Sequence, residues 1–231
     1  MAEPLRLGCA DLDAAPLFSR IAPDGSRDGY EPAAAALVGA ALRRDVAWVV
    51  LTWADFYPAL REGRVDAVWC GQGITAERRA LADFSRPYAV FDESVVVRAD
   101  SPAATPADLV GLRIGAIAGS TNIRLAETFA GATVVPFAGT ADVLGDMVRA
   151  TRDGTVDGFV DDDVVMVPLD DDPDLRLAFT VPTRNEWGIA VRHGDSLREE
   201  LDAALGAVIA DGSLRAAWER AMPALRFPLS Y

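Results

Sequence analysis

Leu60-Arg61-Glu62-Gly63-Arg64-Val65-Asp66 and Thr151-Arg152-Asp153-Gly154-Thr155-Val156-Asp157 are two versions of one pattern, and each runs into an apolar stretch. Each is preceded by a second matching pair, Leu5-Arg6-Leu7-Gly8 in the first half and Leu112-Arg113-Ile114-Gly115 in the second. The repeat predicts two similar α/β lobes in tandem. Two such lobes enclose a cleft, and the ends of strands in open α/β sheets are where ligands bind.

The composition narrows the possible functions. The 231 residues are 51% hydrophobic, which is enough for one large core or two small ones, and the repeat favours two. A net charge of −13 with scattered arginines argues against nucleic acid as a partner. Lysine is absent, which excludes Schiff-base chemistry and a phosphate-loop lysine. With one histidine, His193, and two cysteines, a zinc site is improbable, and we expect no cofactor.

The sequence does not predict insertion into a membrane. No apolar run approaches the roughly 20 residues that span a bilayer. The first predicted strand begins at Leu5, which leaves no room for a secretory signal. The chain is therefore expected to be either a mature form of an exported protein or a cytosolic protein.

Apolar runs alternate with helical patterns, as in parallel sheets with crossover helices. Strands are predicted at 5–9, 46–52, 65–70, 112–117, 132–136 and 156–160, and helices at 31–44, 54–62, 75–83, 121–130, 139–152, 162–168, 195–210 and 212–222.

Two further extended segments, 93–98 and 188–192, predict a two-stranded hinge that returns the chain to its first lobe. Lobe 1 would then comprise residues 1–93 and 190–231, and lobe 2 residues 94–189. The predicted fold class is α/β, with two Rossmann-like lobes joined by this hinge.

Arg78 is the first candidate for ligand binding. It follows Thr75, a predicted helix N-cap, and occupies the third helical position, where the helix dipole opposes a cation. An arginine in this place suits a ligand carboxylate, which its planar fork binds well. The alternative is a solvated arginine paired with Glu77 or Asp83.

The second lobe offers a complementary group. Ser120 and Thr121 open a predicted helix, where hydroxyls and free amides either bind an anion or simply cap the helix. Asp161, Asp162 and Asp163 stand at the tip of the strand that follows the second repeat. Adjacent carboxylates repel one another unless a cation is near, so one aspartate is a candidate for a ligand ammonium; capping of the next helix is the alternative. An anion receptor and a cation receptor together suit a zwitterion.

Several motifs resemble the family 3 extracellular solute-binding proteins, the amino-acid receptors of ABC importers. They occur in order along nearly the whole chain: Gly73-Ile74-Thr75 with Arg78 and Phe84-Ser85, then Pro87-Tyr88, Leu112 to Gly115, Gly119-Ser120-Thr121, Gly154 to Asp157 and Gly188 to Arg192. The resemblance implies a type II periplasmic-binding fold that closes on an amino acid like a hinge.

The resemblance also assigns roles to residues. It places the carboxylate-binding arginine at Arg78, the hydroxyl that shares the carboxylate at Thr121, the ammonium-binding aspartate at Asp162 and an aromatic that packs on the ligand at Trp53.

The chain departs from the family pattern at other candidate positions. Gly71 and Gly73 stand where many members have Ser or Thr, so backbone amides would replace hydroxyl contacts. Asp11 and Asp13 would make the side-chain end of the pocket acidic, unless they only form a turn. Cys70, which with Cys9 ends a strand of lobe 1, would lie at the cleft floor as part of a disulfide, as a thiol near the ligand or, more commonly, as a buried residue.

The implied function is that of a monomeric receptor, which binds an amino acid outside the cytoplasm and delivers it to a membrane permease. One alternative is an enzyme on the same fold, a cyclohexadienyl dehydratase, whose general-acid glutamate would fall at Val165, where valine cannot transfer a proton. The other is a cytosolic sensory or biosynthetic binding domain.

Overall fold

A computed structural model describes residues 3–140, 142–166, 169 and 172–229. The chain forms two compact units: Met1–Val90 with Asn185–Tyr231, and Phe91–Arg184. The expected lobe boundaries, 93/94 and 189/190, lie a few residues C-terminal to these.

The elements alternate as the sequence predicted. The strands are β1 (Leu5–Cys9), β2 (Val46–Val50), β3 (Ala67–Val68), β4 (Asp83–Phe84), β5 (Ala89–Arg98), β6 (Arg113–Ile117), β7 (Thr133–Phe137), β8 (Gly158–Asp162), β9 (Leu175–Trp187) and β10 (Ala190–Val191). The helices are α1 (Tyr30–Leu42), α2 (Phe56–Glu62), α3 (Ala76–Arg79), α4 (Thr121–Glu127), α5 (Val143–Arg152), α6 (Asp163–Met166), α7 (Leu197–Ala210) and α8 (Ser213–Ala221). Short 3-10 turns cover Trp53–Asp55 and Pro106–Leu109.

The sheets of the two units repeat one topology. The first unit orders its strands β2-β1-β3-β10-β4, and the second orders them β7-β6-β8-β5-β9. In each sheet the first three strands are parallel and the fourth is antiparallel to the third. The α/β fold class predicted from the repeat is confirmed.

The repeated sequence motifs build the same clamp in each unit. In the first, the Arg6 guanidinium donates to the Asp66 carboxylate at 2.6 Å and to the carbonyl of Gly63 at 3.0 Å. In the second, Arg113 donates to Asp157 at 3.0 Å and to the carbonyl of Gly154 at 2.7 Å. Each clamp joins the second strand of a sheet, β1 or β6, to the turn before the third, β3 or β8. The repeat therefore encodes a strand-to-turn connection.

Each unit has its own apolar core. In the first unit, α1 packs against α7 and α8. The ring of Tyr30 lies edge-on to that of Trp218, with 5.1 Å between the ring centroids. In the second, Val95 and Val97 of β5 join one buried cluster while Val96 joins another, because alternate residues of a strand face opposite sides of the sheet. Both faces of this sheet are thus covered.

The second strand that crosses the unit boundary is β9, and the expectation of 188–192 in that role was wrong. β9 runs through the boundary at 184/185, whereas Ala190–Val191 lies inside the first sheet between β3 and β4. Residues 175–187 alternate in burial along most of their length, but Pro182 and the charged residues mask that pattern in the sequence.

Several predicted helices are longer than those of the structure: the helix expected at 121–130 ends at Glu127, and the one expected at 139–152 begins at Val143. The helix expected at 75–83 ends at Arg79, because Asp83 and Phe84 must be extended to pair with β10. The helix expected at 162–168 covers Asp163–Met166, and positions 167 and 168 lie outside the described residues. No helix in the described part of the chain has the length and apolar character needed to cross a bilayer.

Candidate functional site

Arg78 lies in α3, directly after the loop that leaves β3. The hydroxyl of Thr75 accepts the backbone N–H of Arg78 at 3.2 Å, so Thr75 is the predicted N-cap. The half-buried Arg78 guanidinium donates from Nη1 to the carbonyl of Gly73 at 3.0 Å. This bond engages one of the five N–H groups of the arginine, which leaves the rest of the fork for a ligand.

The loop Cys70–Gly73 is held by buried side chains. The N–H of Gly71 donates to Oε1 of Glu31 at 2.7 Å. The side chain of Gln72 accepts from the hydroxyl of Tyr57 at 2.9 Å and donates to the carbonyl of Cys70 at 2.9 Å. Gly71 has a φ of 57°, a left-handed conformation that glycine adopts without strain. The glycine that departs from the family pattern thus serves the shape of the loop.

Trp53 also belongs to the first unit. It opens a 3-10 turn after β2, is 40% exposed and rests its ring against Phe56 with 5.0 Å between ring centroids. An exposed indole is available to pack on a ligand.

Asp11 and Asp13 organise the segment that follows β1. Asp11 accepts the N–H of Ile21 at 3.1 Å, and Asp13 accepts the N–H of Arg20 at 2.9 Å. Asp13 also pairs with the Arg20 side chain at 3.4 Å. These are the contacts of turn-forming aspartates, the alternative reading of the sequence.

In the second unit, Ser120 and Thr121 open α4 after β6. The Ser120 hydroxyl accepts the N–H of Ile123 at 3.2 Å and donates to the carbonyl of Ile117 at 2.6 Å. Ser120 is therefore the N-cap, and its hydroxyl hydrogen is engaged. Thr121, half-buried, occupies the first helical position beside the free amides of the helix N-terminus.

Asp162, at the end of β8, is joined to α4 by Asn122. The Asn122 side chain, 4% exposed, donates from Nδ2 to Oδ1 of Asp162 at 2.7 Å. The pKa of Asp162 lies well above its usual range because burial and then the charge of Asp161 disfavour its ionised form. The structure thus brings Asp162 close to the helix start that carries Ser120 and Thr121.

Other carboxyls surround Asp162. Glu93, 2% exposed, lies directly opposite it in the β5–β8 pair. Burial raises the pKa of Asp161 to about 7 and that of Asp163 to about 6. Such a group of carboxyls favours a cation, which would compensate their charge. No cluster of metal-ligating side chains was found among the described residues.

Cys9 and Cys70 are free, fully buried thiols. Cys70 accepts the N–H of Ala10 through its sulfur at 3.4 Å. Burial raises the pKa of Cys9 to about 11 and raises that of Cys70 further. Of the readings that the sequence left open, the structure shows two small buried residues.

Sequence reasoning missed two residues that position candidates. Glu31 holds Gly71, and Asn122 holds Asp162. For Asn122 the sequence did offer a signal. Asn122 directly follows Thr121 at a predicted helix start, and that helix start places it opposite β8. For Glu31 the only signal was an acid in the first turn of a helix, which is usually explained by the helix dipole.

Comparison with known proteins decides the family. Residues 7–223 match the family described as bacterial extracellular solute-binding proteins, family 3. The chain belongs to this family. The resemblance seen in the sequence is confirmed.

Curated and solved solute-binding proteins resemble the chain along most of its length. The L-arginine-binding protein of Pseudomonas aeruginosa is 30% identical, over 92% of this chain and 85% of that protein. ABC transporter arginine-binding protein 1 of Escherichia coli is 33% identical, over 68% of this chain and 65% of that protein. The structure of an ancestral arginine-binding protein bound to arginine superposes with a TM-score of 0.81 at 28% identity, over 96% of this chain and 99% of that one.

Proposed function

We propose that this solute-binding protein binds a free amino acid through groups from both of its units. Arg78 of the first unit receives the carboxylate, with the help of Thr121, and Asp162 of the second receives the ammonium. The observation that carries the proposal is the pair Asn122 and Asp162, because a carboxyl fixed by a buried amide and surrounded by other carboxyls is a prepared cation receptor.

The basic Arg78 and the acidic Asp162 suit a zwitterionic ligand better than other solutes. A guanidinium binds a carboxylate with two parallel hydrogen bonds, and a carboxylate accepts from an ammonium. A sugar offers no cation to Asp162, so nothing in it would offset the burial that disfavours the ionised carboxylate. A ligand that engages both units also supplies the contacts that favour a closed state over an open one.

The proposal is tested by thermal unfolding with a panel of amino acids, dicarboxylates and sugars. A ligand at 100 times its Kd should add about 2.7 kcal/mol to the free energy of unfolding and raise Tm. Arginine leads the panel because the related proteins above are named for it. A shift with a dicarboxylate or a sugar and with no amino acid would refute the proposal.

Two variants on one helix sharpen the test. Arg78→Ala should abolish the ligand-induced shift and leave the ligand-free protein folded. Arg79→Ala removes the exposed neighbouring arginine of α3 and should leave binding unchanged. If binding survives in Arg78→Ala, then Arg78 is only a partly buried surface arginine.

The family and the related proteins suggest a cellular location and a partner for this protein. The family is described as extracellular, and the Escherichia coli relative is named as part of an ABC transporter. We propose that this protein acts as a monomer outside the cytoplasm and passes its amino acid to an ABC importer permease. Deletion of the gene should slow uptake of the amino acid that raises Tm, and cell fractionation should find the protein outside the cytoplasm.

Enzymatic activity is the second candidate. Val165 is a buried apolar residue of α6 and cannot act as an acid. Asp163, two residues earlier, has a pKa raised to about 6 and therefore keeps its proton to a higher pH than an ordinary aspartate does. Product analysis by NMR with a cyclohexadienyl carboxylate tests this candidate. Turnover that is lost in Asp163→Asn would support it, and an unchanged substrate would leave binding as the function.

A further inference from the structure

Glu31 is a fully buried carboxyl in the first turn of α1. Its Oε1 accepts two hydrogen bonds, from the N–H of Gly71 at 2.7 Å and from the hydroxyl of Tyr88. Its Oε2 is buried with no hydrogen-bond partner among the described residues. Burial raises the pKa of Glu31 to about 7. A buried carboxyl of this kind costs stability in its charged form, because the charge is taken out of water.

What Glu31 holds is the loop that leads to Arg78. Gly71 sits in the left-handed region, and its N–H points at Glu31 rather than at a neighbouring strand. Two residues later, the carbonyl of Gly73 accepts from the Arg78 guanidinium at 3.0 Å. Gly73 also forms an isolated bridge with Trp187. The carbonyl that accepts from the guanidinium therefore lies two residues from the backbone turn at Gly71.

We propose that Glu31 is a positioning residue for ligand binding, which fixes Gly71 and thereby aims the Arg78 guanidinium. This inference rests on the proposed function, because it takes Arg78 as the carboxylate receptor. Glu31 is fully buried and contacts the loop through Gly71, so its effect on affinity passes through the backbone of 71–73.

Tyr88 provides the matched control. Its hydroxyl donates to the same Oε1 of Glu31 and is equally buried, but no hydrogen bond links that hydroxyl to the loop. Tyr88→Phe removes one buried hydrogen bond and keeps the ring. A general loss of packing would lower Tm in Tyr88→Phe and in Glu31 variants alike, whereas loss of loop position would weaken binding only in the Glu31 variants.

The experiment measures Kd by calorimetry and Tm by thermal unfolding, with the amino acid that stabilises the wild type. At pH 8 we expect Glu31→Leu to raise Kd tenfold or more and Tyr88→Phe to change it less than twofold, with Tm lowered in both. Glu31→Gln keeps an acceptor for Gly71, so it should restore Kd to within about fivefold of wild type. An unchanged Kd in Glu31→Leu would overturn the proposal.

A pH profile decides the question if Glu31→Leu does not fold. The charged carboxylate is a stronger acceptor than a neutral amide, so wild type should bind more tightly than Glu31→Gln at pH 8 and equally at pH 5.5. The charged and titratable groups that act on Glu31 are Arg27, Tyr30, Tyr88, Cys9 and Cys70, and both proteins share them. Profiles that superimpose would overturn the proposal.

Arg78→Ala separates this inference from the function on which it rests. If Arg78→Ala abolishes binding and Glu31→Leu does not weaken it, only the positioning role fails. If Arg78→Ala binds normally, the proposed function fails, and the role of Glu31 with it.

Discussion

Arg113 donates to Asp157 from three of its nitrogen atoms: the backbone N at 2.8 Å, Nε at 3.1 Å and Nη2 at 3.0 Å. Arg6 and Asp66 form the corresponding pair in the first unit, where the backbone N of Arg6 donates at 2.9 Å and Nη2 at 2.6 Å. The carboxylate in each pair replaces a strand partner for the backbone N–H of its arginine. The clamp thereby ties the start of one strand, β1 or β6, to the turn before the strand beside it in the sheet, β3 or β8.

We expect Asp66→Ala to destabilise the protein by about 1–2 kcal/mol, because it removes hydrogen bonds to a partly buried carboxylate. Asp157→Ala should act in the same direction. Chemical denaturation of the ligand-free protein measures both. Asp100→Ala is the control, since the side chain of Asp100 is 82% exposed and pairs with Arg98 at 3.4 Å. Equal effects at positions 66 and 100 would contradict the clamp.

A second prediction concerns Asp92 and Arg184, which lie next to the unit boundary on the two strands that cross it. The N–H of Arg184 donates to Oδ1 of Asp92 at 2.8 Å, and Arg184 has a φ of 52°. A left-handed conformation costs a non-glycine residue roughly 1–2 kcal/mol. The hydrogen bond that Arg184 donates to Asp92 therefore stabilises a strained backbone conformation within β9.

Asp92→Ala should destabilise the protein more in the wild-type background than in Arg184→Gly, because glycine adopts this conformation without help. Denaturation of the two single variants and the double variant gives the coupling free energy, which we expect to be about 0.5–1 kcal/mol. Additive effects would show that Asp92 does not support this conformation.

Asn122→Leu should weaken amino-acid binding about tenfold. The Asn122 hydrogen bond favours the ionised form of Asp162, so its loss both frees the carboxyl and raises its pKa further. Titration calorimetry measures the change. Thr151→Ala, which removes another buried hydrogen bond in the second unit, should lower Tm and leave Kd as it is. A Kd that responds equally to both changes would point to a general loss of structure.

Stability should fall as the pH rises from about 5 to 8. Burial raises the pKa of Glu31 from 4.5 to about 7 and that of Asp161 from 3.8 to about 7. Between the unfolded and the folded pKa, the folded state binds more protons, so the free energy of unfolding decreases as pH rises. The contribution is complete below the unfolded pKa and is lost above the folded one.

Denaturation at a series of pH values measures this slope, and Glu31→Gln or Asp161→Asn should flatten it. Arg6 and Arg113 hold the pKa of Asp66 and Asp157 below the usual range, so those carboxylates act in the opposite sense and lose their contribution in acid. Stability that rises steadily from pH 5 to pH 8 would contradict the raised pKa values.

Ligand binding should release protons. An ammonium at Asp162 favours the ionised carboxylate, whereas burial in the free protein raises the pKa of this group and favours its protonated form. Calorimetry in buffers of different ionisation enthalpy measures the protons released, and affinity should rise with pH. Binding without proton exchange would indicate that Asp162 is already ionised.

The sequence predicted those parts of the protein that depend on local pattern. Alternating apolar runs and helical periods gave the α/β class, and the motif around Thr75 gave a correct N-cap because capping involves only residues three apart. The prediction from sequence failed where the secondary structure depends on which strands pair. Asp83–Phe84 was predicted as helix and is a strand. The second strand that crosses the unit boundary was predicted at 188–192 and is β9. Both features depend on residues that are distant in the chain.

The sequence by itself determined the two-fold repeat, the family and the opposite charges of Arg78 and Asp162, because these are properties of residue identity and spacing. Only the tertiary structure showed that Glu31 holds Gly71 and that Asn122 holds Asp162, across separations of 40 residues in each case. A buried hydrogen bond between distant residues leaves no periodic trace in the chain. It exists because folding removes both groups from water and leaves each as the partner that satisfies the other.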